Sequence, residues 1–386
     1  MGNIELVATS TFGLEAIVAQ EVRNLGFDDV KVENGRVTFI AKVEDIPKAN
    51  LWLRTADRVF VKMGEFKALT FDELFEQTKA LPWEKWIPPD GKFPIYKAKS
   101  VKSKLFSLSD CQSIVKKAVV ERLKSKYSID WFKETGGEYP IQISLLKDVA
   151  TLLIDTSGIG LHKRGYREYG NEAPIKETLA AALVILSRWK PPREFIDPLC
   201  GSGTIAIEAA MIGKNIAPGL QRNFISEGWK QLSQSLWKKT RAEAMEAIQV
   251  EKDFRILGSD IDGRALKQAR ENALKAGVND FVFFQRLPVQ ELRSSKKYGV
   301  IISNPPYGER LGEEKQVIAL YRDMGKVFRK LDSWSYFIIT SHPEFEKHFG
   351  ERANKNRKLY NGRILTYLYQ YFGKLPPRRN NIGQNS

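Results

Sequence analysis

Cysteine and histidine are scarce in this chain. Two cysteines, Cys111 and Cys200, and three histidines, His162, His342 and His348, are spread over 386 residues with no close Cys/His spacing. A structural zinc site needs such ligands at short intervals, so no metal is expected. Long apolar runs are also missing, and the longest, residues 179–186, is less than half a membrane span. The start, Met1-Gly2-Asn3-Ile4-Glu5-Leu6, offers neither a basic leader nor the Ser or Thr that a myristoylation signal wants at position 6. The expected compartment is therefore the cytoplasm. No internal repeat of solenoid period is found.

Hydrophobic content of 42% with 28% charged residues describes a soluble globular chain, and its length calls for two or three domains. The net charge of +15 is unevenly spread. Residues 1–90 net −4, residues 91–133 net +8, and residues 321–386 again +8. A concentrated basic segment between less basic ones suits a polyanion. A solvated lysine-rich face is the plainer alternative.

The first 155 residues mix strands and helices. Residues 4–8 read as a strand, 13–25 as a helix, and 30–32 with 36–40 as a hairpin around Asn34-Gly35, a type I′ turn signal. A helix over 43–55 completes a ferredoxin-like half-unit. Strands are then expected at 59–63, 93–98, 141–145 and 150–155, and helices at 71–80 and from a cap at Ser109 or Asp110 to Lys126. Lys97, Lys99, Lys102 and Lys104 fall at near-alternate positions, mainly on one side of an extended stretch, a spacing that suits backbone phosphates. A charged edge strand that resists aggregation has the same pattern.

From about residue 171 the pattern turns to βα alternation, with strands at 194–198, 255–260, 281–284, 298–303 and 335–340 and a last one within 363–372. A parallel doubly wound sheet is expected. Its first strand runs into Asp197-Pro198-Leu199-Cys200-Gly201-Ser202-Gly203-Thr204. Glycines there let a ligand lie against the main chain. Asp197 would repel a pyrophosphate and receive an ammonium. No Gly-Lys-Ser/Thr follows, and Ile207 stands where a dinucleotide fingerprint wants its third glycine. Asp260 ends the second strand, placed to accept ribose hydroxyls or to cap the helix over 262–276, and for Asp262 capping competes with contact. Asp260 lies far beyond the nicotinamide spacing, the excess being an insertion of about 215–250.

The strand at 298–303 ends in Asn304-Pro305-Pro306-Tyr307. Two prolines fix an extended turn that cannot continue a sheet. An exocyclic base amine is a poor nucleophile because its lone pair is delocalised. The Asn304 side-chain carbonyl and the Pro305 main-chain carbonyl can hold both amine hydrogens and turn that lone pair toward a sulfonium methyl. Tyr307 would stack on a base taken out of its helix.

Together these segments resemble the class I methyltransferases, and more narrowly the THUMP-containing guanine-N2 RNA methyltransferases of the bacterial RlmL/YpsC-like group. The resemblance spans almost the whole chain. It also takes in Ser144 to Asp148 with Thr151 to Asp155, Gly160 to Arg167, Ala173 to Ala181, Ile216-Ala217-Pro218-Gly219 and Asn304 to Leu311. It implies an α/β fold: a Rossmann-like methyltransferase domain over 161–373, preceded by a ferredoxin-like domain (1–60) and a THUMP RNA-binding domain (61–160), with a disordered tail over 374–386. It implies S-adenosyl-L-methionine as cofactor, held by Lys176, Thr178, Asp197, Gly201, Ser202, Gly203, Thr204, Asp260, Ile261 and Gln290. The chemical segment is Asn304, Pro305, Pro306 and Tyr307, and Lys97, Lys99, Lys102 and Lys104 meet RNA. Many relatives carry an acid after the third strand that reads the adenine amine; Arg286-Leu287-Pro288-Val289-Gln290-Glu291 leaves Gln290 or Glu291 to substitute. The expected activity is N2-methylation of a guanine in 23S rRNA. Its rivals are a tRNA guanine-N2, an adenine-N6 or a glutamine methyltransferase, a non-catalytic RNA-binding or ribosome assembly factor on the same fold, and a nicotinamide oxidoreductase.

Overall fold

The computed structural model describes residues 2–167, 175–251, 253–308 and 314–377. Residues 173–174 and 309–311, which carry part of the resemblance, lie outside them, as does the expected tail from residue 378. The chain divides into two compact units, one of Met1–Arg164 with Ala217–Ala247, the other of Gly165–Ile216 with Ile248–Ser386.

The first unit opens with β1 (Ile4–Ser10), α1 (Glu15–Asn24), β2 (Asp28–Glu33), β3 (Arg36–Ala41), α2 (Ile46–Trp52) and β4 (Ala56–Lys67). It continues through α3 (Phe71–Ala80), β5 (Ile95–Val101), α4 (Leu108–Tyr127), β6 (Ile141–Leu146) and β7 (Val149–Asp155). All seven strands form one sheet in the order β2-β3-β1-β4-β7-β6-β5. The twelve-residue β4 pairs with β1 along its first half and with β7 along its second, so the two expected front domains share a sheet. β5 lies at the edge, parallel to β6. Alternation in β1 sends Leu6 and Ala8 into the main core and Val7 to the other face, where it packs with Phe60 and Leu153.

Three local expectations need correction. Of Asn34 and Gly35, only Gly35 takes the left-handed region (φ +75°), so the hairpin turn is not type I′. Gly35 is tied elsewhere: its N–H donates to the Glu15 carboxylate at 2.8 Å and its carbonyl accepts the Ser10 N–H at 3.0 Å. The helix expected over 43–55 is a 3₁₀ turn, Val43–Asp45, and then α2, which stops at Trp52. The Arg54 and Thr55 N–H groups instead donate to the buried Glu21 carboxylate, at 3.0 Å each. Helix α4 starts at Leu108, with Ser107 before it, ahead of both expected caps.

The second unit begins with α5 (Glu177–Ser187), β8 (Phe195–Asp197) and α6 (Thr204–Gly213). The chain then enters the first unit at Ala217, adds α7 (Gln234–Glu246), and returns for β9 (Ile256–Asp260), α8 (Gly263–Lys275), β10 (Val282–Arg286), β11 (Val300–Ser303) and α9 (Glu314–Phe328). It ends with β12 (Ser335–Thr340), α10 (Phe345–Phe349), β13 (Lys355–Asn361) and β14 (Ile364–Tyr371). The sheet order is β10-β9-β8-β11-β12-β14-β13. β8 to β12 pair in parallel, while β14 runs antiparallel to β12 and forms a hairpin with β13. Successive strands step away from β8 on one side and resume beside it with β11. That reversal opens a crevice at the carboxyl ends of β8 and β11, where doubly wound sheets bind ligands.

The insertion is part of the first unit's core. Trp229 is buried, stacked on Tyr139 at 4.9 Å between centroids and edge-on to Trp86 at 5.8 Å. Phe224 stacks on Trp237 of α7 at 5.3 Å, and Arg222 donates to the main-chain carbonyls of Ile159, Gly160 and Lys163. A Cβ on Gly137 would meet the Gly228 carbonyl at 2.5 Å, so glycine is required where the insertion crosses β6's approach. Truncating a buried tryptophan removes about 3–5 kcal/mol. Trp229→Ala is therefore expected to lower the unfolding free energy from a denaturant titration by an amount of that order, and an unchanged value would remove the insertion from the core.

Candidate active site

The loop after β8 is shaped by two left-handed glycines. Gly201 (φ +50°) and Gly203 (φ +82°) bracket Ser202, and Gly203 becomes the N-cap of α6. A Cβ on Gly203 would lie 2.7 Å from the Phe284 ring and 3.0 Å from Ala269, so backbone conformation and packing both demand glycine. A Cβ on Gly201 would meet nothing within 4 Å, which leaves open space above the main chain there. The Cys200 N–H donates to the Ser259 carbonyl of β9 at 2.9 Å, and the Asn272 amide of α8 donates to the Ser202 carbonyl at 3.0 Å. Burial, then the charges of Asp197 and Asp260, raise the Cys200 thiol far above its usual range, so it is a protonated packing group and not a nucleophile.

Asp197 and Asp260 end adjacent parallel strands. Asp197 is 1% exposed and accepts the Leu199 N–H at a long 3.4 Å. Burial pushes its carboxyl well above the usual carboxylate range, and the Asp260 charge pushes it further. Asp260 is half-buried; one oxygen accepts the Gly201 N–H at 2.9 Å and the other the Asp262 N–H at 3.0 Å. Each oxygen keeps a further lone pair for a ligand hydroxyl. The helix cap is Asp262, whose side chain accepts the Arg264 N–H at 2.8 Å. Ile261 is 61% exposed beside Asp260.

Arg167 draws the start of α5 to this turn. Its guanidinium donates to the Ile175 carbonyl at 3.1 Å and the Thr204 hydroxyl at 3.2 Å, and lies 3.5 Å from Glu177. Lys176 is the N-cap of α5, and Thr178, 1% exposed, has a buried hydroxyl with no hydrogen-bond partner among the described residues. Gln290, in the 3₁₀ turn Val289–Glu291, is exposed and donates to Asp323 of α9 at 2.9 Å.

On the other side of β8, β11 is buried at every residue and delivers Asn304 to the carboxyl edge. Pro305 is buried, Pro306 exposed, and Asn304 and Tyr307 half-buried. The Tyr307 hydroxyl donates to Asn304 Oδ1 at 2.7 Å and receives a 3.4 Å contact from the Asn361 amide at the end of β13. The Tyr321 hydroxyl of α9 donates to the Pro306 carbonyl at 2.8 Å. Tyr321, Thr340 and Asn361 carry no motif of their own, and only proximity in the fold singles them out; Arg167 lies in the Gly160–Arg167 stretch of the resemblance, but without an assigned role.

The four lysines stand on the first unit. Lys97 and Lys99 are two apart on β5 and exposed on one face of it. The strand ends at Val101, Lys102 takes a left-handed turn (φ +52°), and Lys104 follows, its N–H donating to Asp148 at 2.6 Å; the extended spacing therefore covers only the first pair. Several other cations of the sheet are matched: Arg36 with Glu33 and Glu65 at 3.0 and 3.1 Å, Lys62 with Glu5 at 3.4 Å, Arg58 with Asp155 at 2.5 Å. Among the described residues, no carboxylate lies within ion-pair distance of the four lysines. Partial burial, then the charges of Lys99 and Arg58, holds the Lys97 ammonium below its usual value.

No helix of the described residues is long and apolar enough to cross a membrane. Residues 164–370 match the family model described as RMKL-like, methyltransferase domain; residues 5–60 match the RlmL ferredoxin-like domain and 68–155 the THUMP domain. The chain is 53% identical to YpsC of Bacillus subtilis (strain 168), a candidate RNA methyltransferase, over 98% of each protein. It is 35% identical to the ribosomal RNA large subunit methyltransferase K/L of Syntrophotalea carbinolica over 95% of this chain but 53% of that one, so it spans about half of that relative. Among solved structures, a possible methylase from Clostridium difficile 630 superimposes with a TM-score of 0.95 at 50% identity, covering 98% and 100% of the two chains. A predicted N6-adenine-specific DNA methylase from Listeria monocytogenes gives 0.92 at 52%, covering 97% of each. The methyltransferase SMU.472, complexed with SAH, gives 0.92 at 48%, covering 98% and 100%. Glycine turn, paired acids and Asn-Pro-Pro-Tyr turn thus sit on a ferredoxin-like, THUMP and methyltransferase architecture, and the chain belongs to the RMKL-like family of S-adenosylmethionine-dependent RNA methyltransferases.

Proposed function

We propose that this protein methylates the exocyclic N2 of a guanine in 23S rRNA. The observation that carries the chemistry is the Asn304–Tyr307 turn at the end of β11, next to a glycine turn flanked by two carboxylates. The large-subunit substrate rests on the name of the Syntrophotalea relative, and guanine over adenine rests on family resemblance.

The residues present fit S-adenosylmethionine. Among the described residues, Asp197 is buried with one weak partner and no cation, a lack that an ammonium fills. Asp260 has lone pairs for ribose hydroxyls, exposed Ile261 offers an apolar face for an adenine ring, and open space lies over Gly201. Thr204, Ser202, Lys176 and Thr178 line the approach between α5 and α6, with the unpartnered Thr178 hydroxyl available to a polar ligand atom. Gln290 takes a ligand role only by leaving Asp323. The bound cofactor supplies an electrophilic sulfonium methyl.

Toward that methyl, Asn304 Oδ1 and the Pro305 carbonyl each accept one hydrogen of the base amine and aim its lone pair. The Tyr307 hydroxyl, 2.7 Å from Asn304 Oδ1, occupies the position that an amine hydrogen would take. An entering amine replaces that bond, which frees the Tyr307 ring to stack on the base. No strong base is needed, because the amine becomes acidic only as it attacks. The unmatched lysines at β5 supply phosphate contacts.

Adenine N6 is the second reading, favoured by the name of the Listeria relative. Mass spectrometry of nucleosides from total RNA of deletion and wild-type cells separates them: loss of N2-methylguanosine from 23S rRNA is expected, and loss of N6-methyladenosine would overturn the guanine assignment. Asn304→Ala should lower turnover by about 100-fold or more with cofactor affinity nearly intact; full activity would remove its role. Asp197→Asn should weaken cofactor binding by roughly 10- to 100-fold, the loss of a charged hydrogen bond. A carboxyl whose folded pKa is raised destabilises the folded state above its unfolded pKa, so the same variant should raise the melting temperature of the cofactor-free protein at neutral pH. A lowered melting temperature would mean that Asp197 is already neutralised. Replacing Lys97, Lys99, Lys102 and Lys104 by Ala should weaken RNA binding and flatten its salt slope by about 0.7 per lost phosphate contact. An unchanged slope would return the stretch to a solvated face.

A further inference from the structure

We infer that Tyr321 is a positioning residue for methyl transfer: through a directed chain of hydrogen bonds it fixes the Pro306 carbonyl and so sets the Asn304–Pro305 acceptor pair. The inference rests on the proposed role of that turn and adds a residue outside it.

The need for such a residue follows from the prolines. Pro305 and Pro306 carry no N–H, so the turn cannot hold itself in place by donating from its own main chain at those positions. A donor must reach it from elsewhere. Tyr321 Oη lies 2.8 Å from the Pro306 carbonyl and 2.9 Å from Thr340 Oγ1. A carbonyl only accepts, so the single phenol hydrogen goes to Pro306. Thr340 must then donate its own hydrogen to Tyr321 Oη. Thr340 Oγ1 in turn accepts the His342 N–H at 3.1 Å. Each hydroxyl of the chain therefore has one assigned direction: His342 N–H to Thr340, Thr340 to Tyr321, Tyr321 to Pro306. Bonds ordered this way polarise one another, so the loss of one member weakens the rest.

The ring that carries the donor has no freedom to leave. Tyr321 is fully buried, with Phe345 edge-on at 5.0 Å and His342 edge-on at 5.5 Å. Burial pushes its pKa up to about 12, so the phenol remains a donor at any pH the cell presents. Thr340 is the last residue of β12, whose register sets Ser303 of β11 beside Ile338. The chain thus references the turn to the neighbouring strand of the same sheet. Occupying the Pro306 carbonyl also leaves the preceding carbonyl, that of Pro305, to the base amine.

Tyr321→Phe keeps the ring and its packing and removes only the donor. A purified full-length variant would be assayed in single turnover with labelled S-adenosylmethionine, on RNA from a strain lacking the enzyme. Alongside, KM for RNA, calorimetric affinity for S-adenosylhomocysteine and the melting temperature would be measured. The expected result is a methyl-transfer rate lower by about 10- to 100-fold, the effect of a small displacement of reacting groups, with KM and affinity within about twofold of wild type. A Tyr321→Phe rate within twofold of wild type would overturn the inference, as would a loss of rate matched by a loss of cofactor affinity, which marks a general structural role. Thr340→Val, which removes the middle donor, should give a smaller loss that Thr340→Ser restores; equal rates for the two overturn the directed chain. If wild type transfers no methyl group to any RNA, the proposed function itself fails and this inference falls with it.

Discussion

The second unit is organised around an electrostatic deficit. Asp197 and Asp260 end adjacent parallel strands, and the charge of the second raises the pKa of the first, already lifted by burial. A protein stabilises such a pair only at a cost in folding free energy, and the cost persists because the sheet leaves little choice. β8 is three residues long and wholly buried, so the side chain at its tip is buried as well. β9 holds Asp260 by its own acceptors: Gly201 and Asp262 donate to it, fixing both the glycine turn and the start of α8. The same carboxylate therefore shapes the loop and, on the proposed function, is the one that meets the cofactor's ribose. The left-handed Gly203 then lets α6 begin against Phe284 of β10. Remove the acid at β9 and the glycine turn loses a hydrogen-bond anchor at Gly201.

Most of the fold was legible because its signals are local and periodic. α3 falls on residues 71–80 and β12 on residues 335–340 as expected, since a Thr70 cap bonded to Glu73 and a run of buried apolar residues leave little ambiguity. Failures came where tertiary bonds outweigh local preference. Asn34-Gly35 has the composition of a mirror-image turn, yet Glu15 and Ser10 claim the Gly35 amide and carbonyl. β13, with Lys355, Asn356, Arg357 and Lys358, has too few apolar residues to be read as a strand, and it exists because Ile364–Tyr371 gives it a partner. The insertion was visible only as excess spacing between two acids. That its Trp229 belongs to another unit's core is a fact of long-range packing that no periodicity carries.

The site divides in the same way. Motif residues could be found because their chemistry restricts residue type: glycine where φ is positive against a neighbouring ring, acid where a cation is wanted, proline where no donor is wanted. Residues that act on the motif have no such restriction. Arg167 binds a carbonyl and a hydroxyl, and Tyr321 a carbonyl, roles that many donors can fill at many positions. The lysines are an intermediate case. Their alternation was readable, but the absence of counter-charges became visible only beside the ion pairs of Arg36, Lys62 and Arg58 on the same sheet. Unmatched charge next to matched charge is a stronger sign of a polyanion surface than charge alone, because exposed cations are otherwise readily paired within a fold.

The two prolines carry the selectivity of the chemical turn as well as its shape. A turn of ordinary residues would present both N–H and C=O groups, and could hold a base carbonyl as readily as an amine. With Pro305 and Pro306 in place, the main chain over those positions can only accept. Of its two carbonyls, that of Pro306 is already satisfied by Tyr321. On the proposed function, the acceptor pair left for the base is Asn304 Oδ1 and the Pro305 carbonyl, suited to a group with two hydrogens on one nitrogen. Guanine offers such a group at N2, adenine at N6 and cytosine at N4, whereas O6 of guanine and the base carbonyls of pyrimidines offer none. Main-chain donors are thus absent over Pro305 and Pro306, which suits the amine acceptor proposed above. Discrimination among these bases must come from contacts to the rest of the base, outside these four residues.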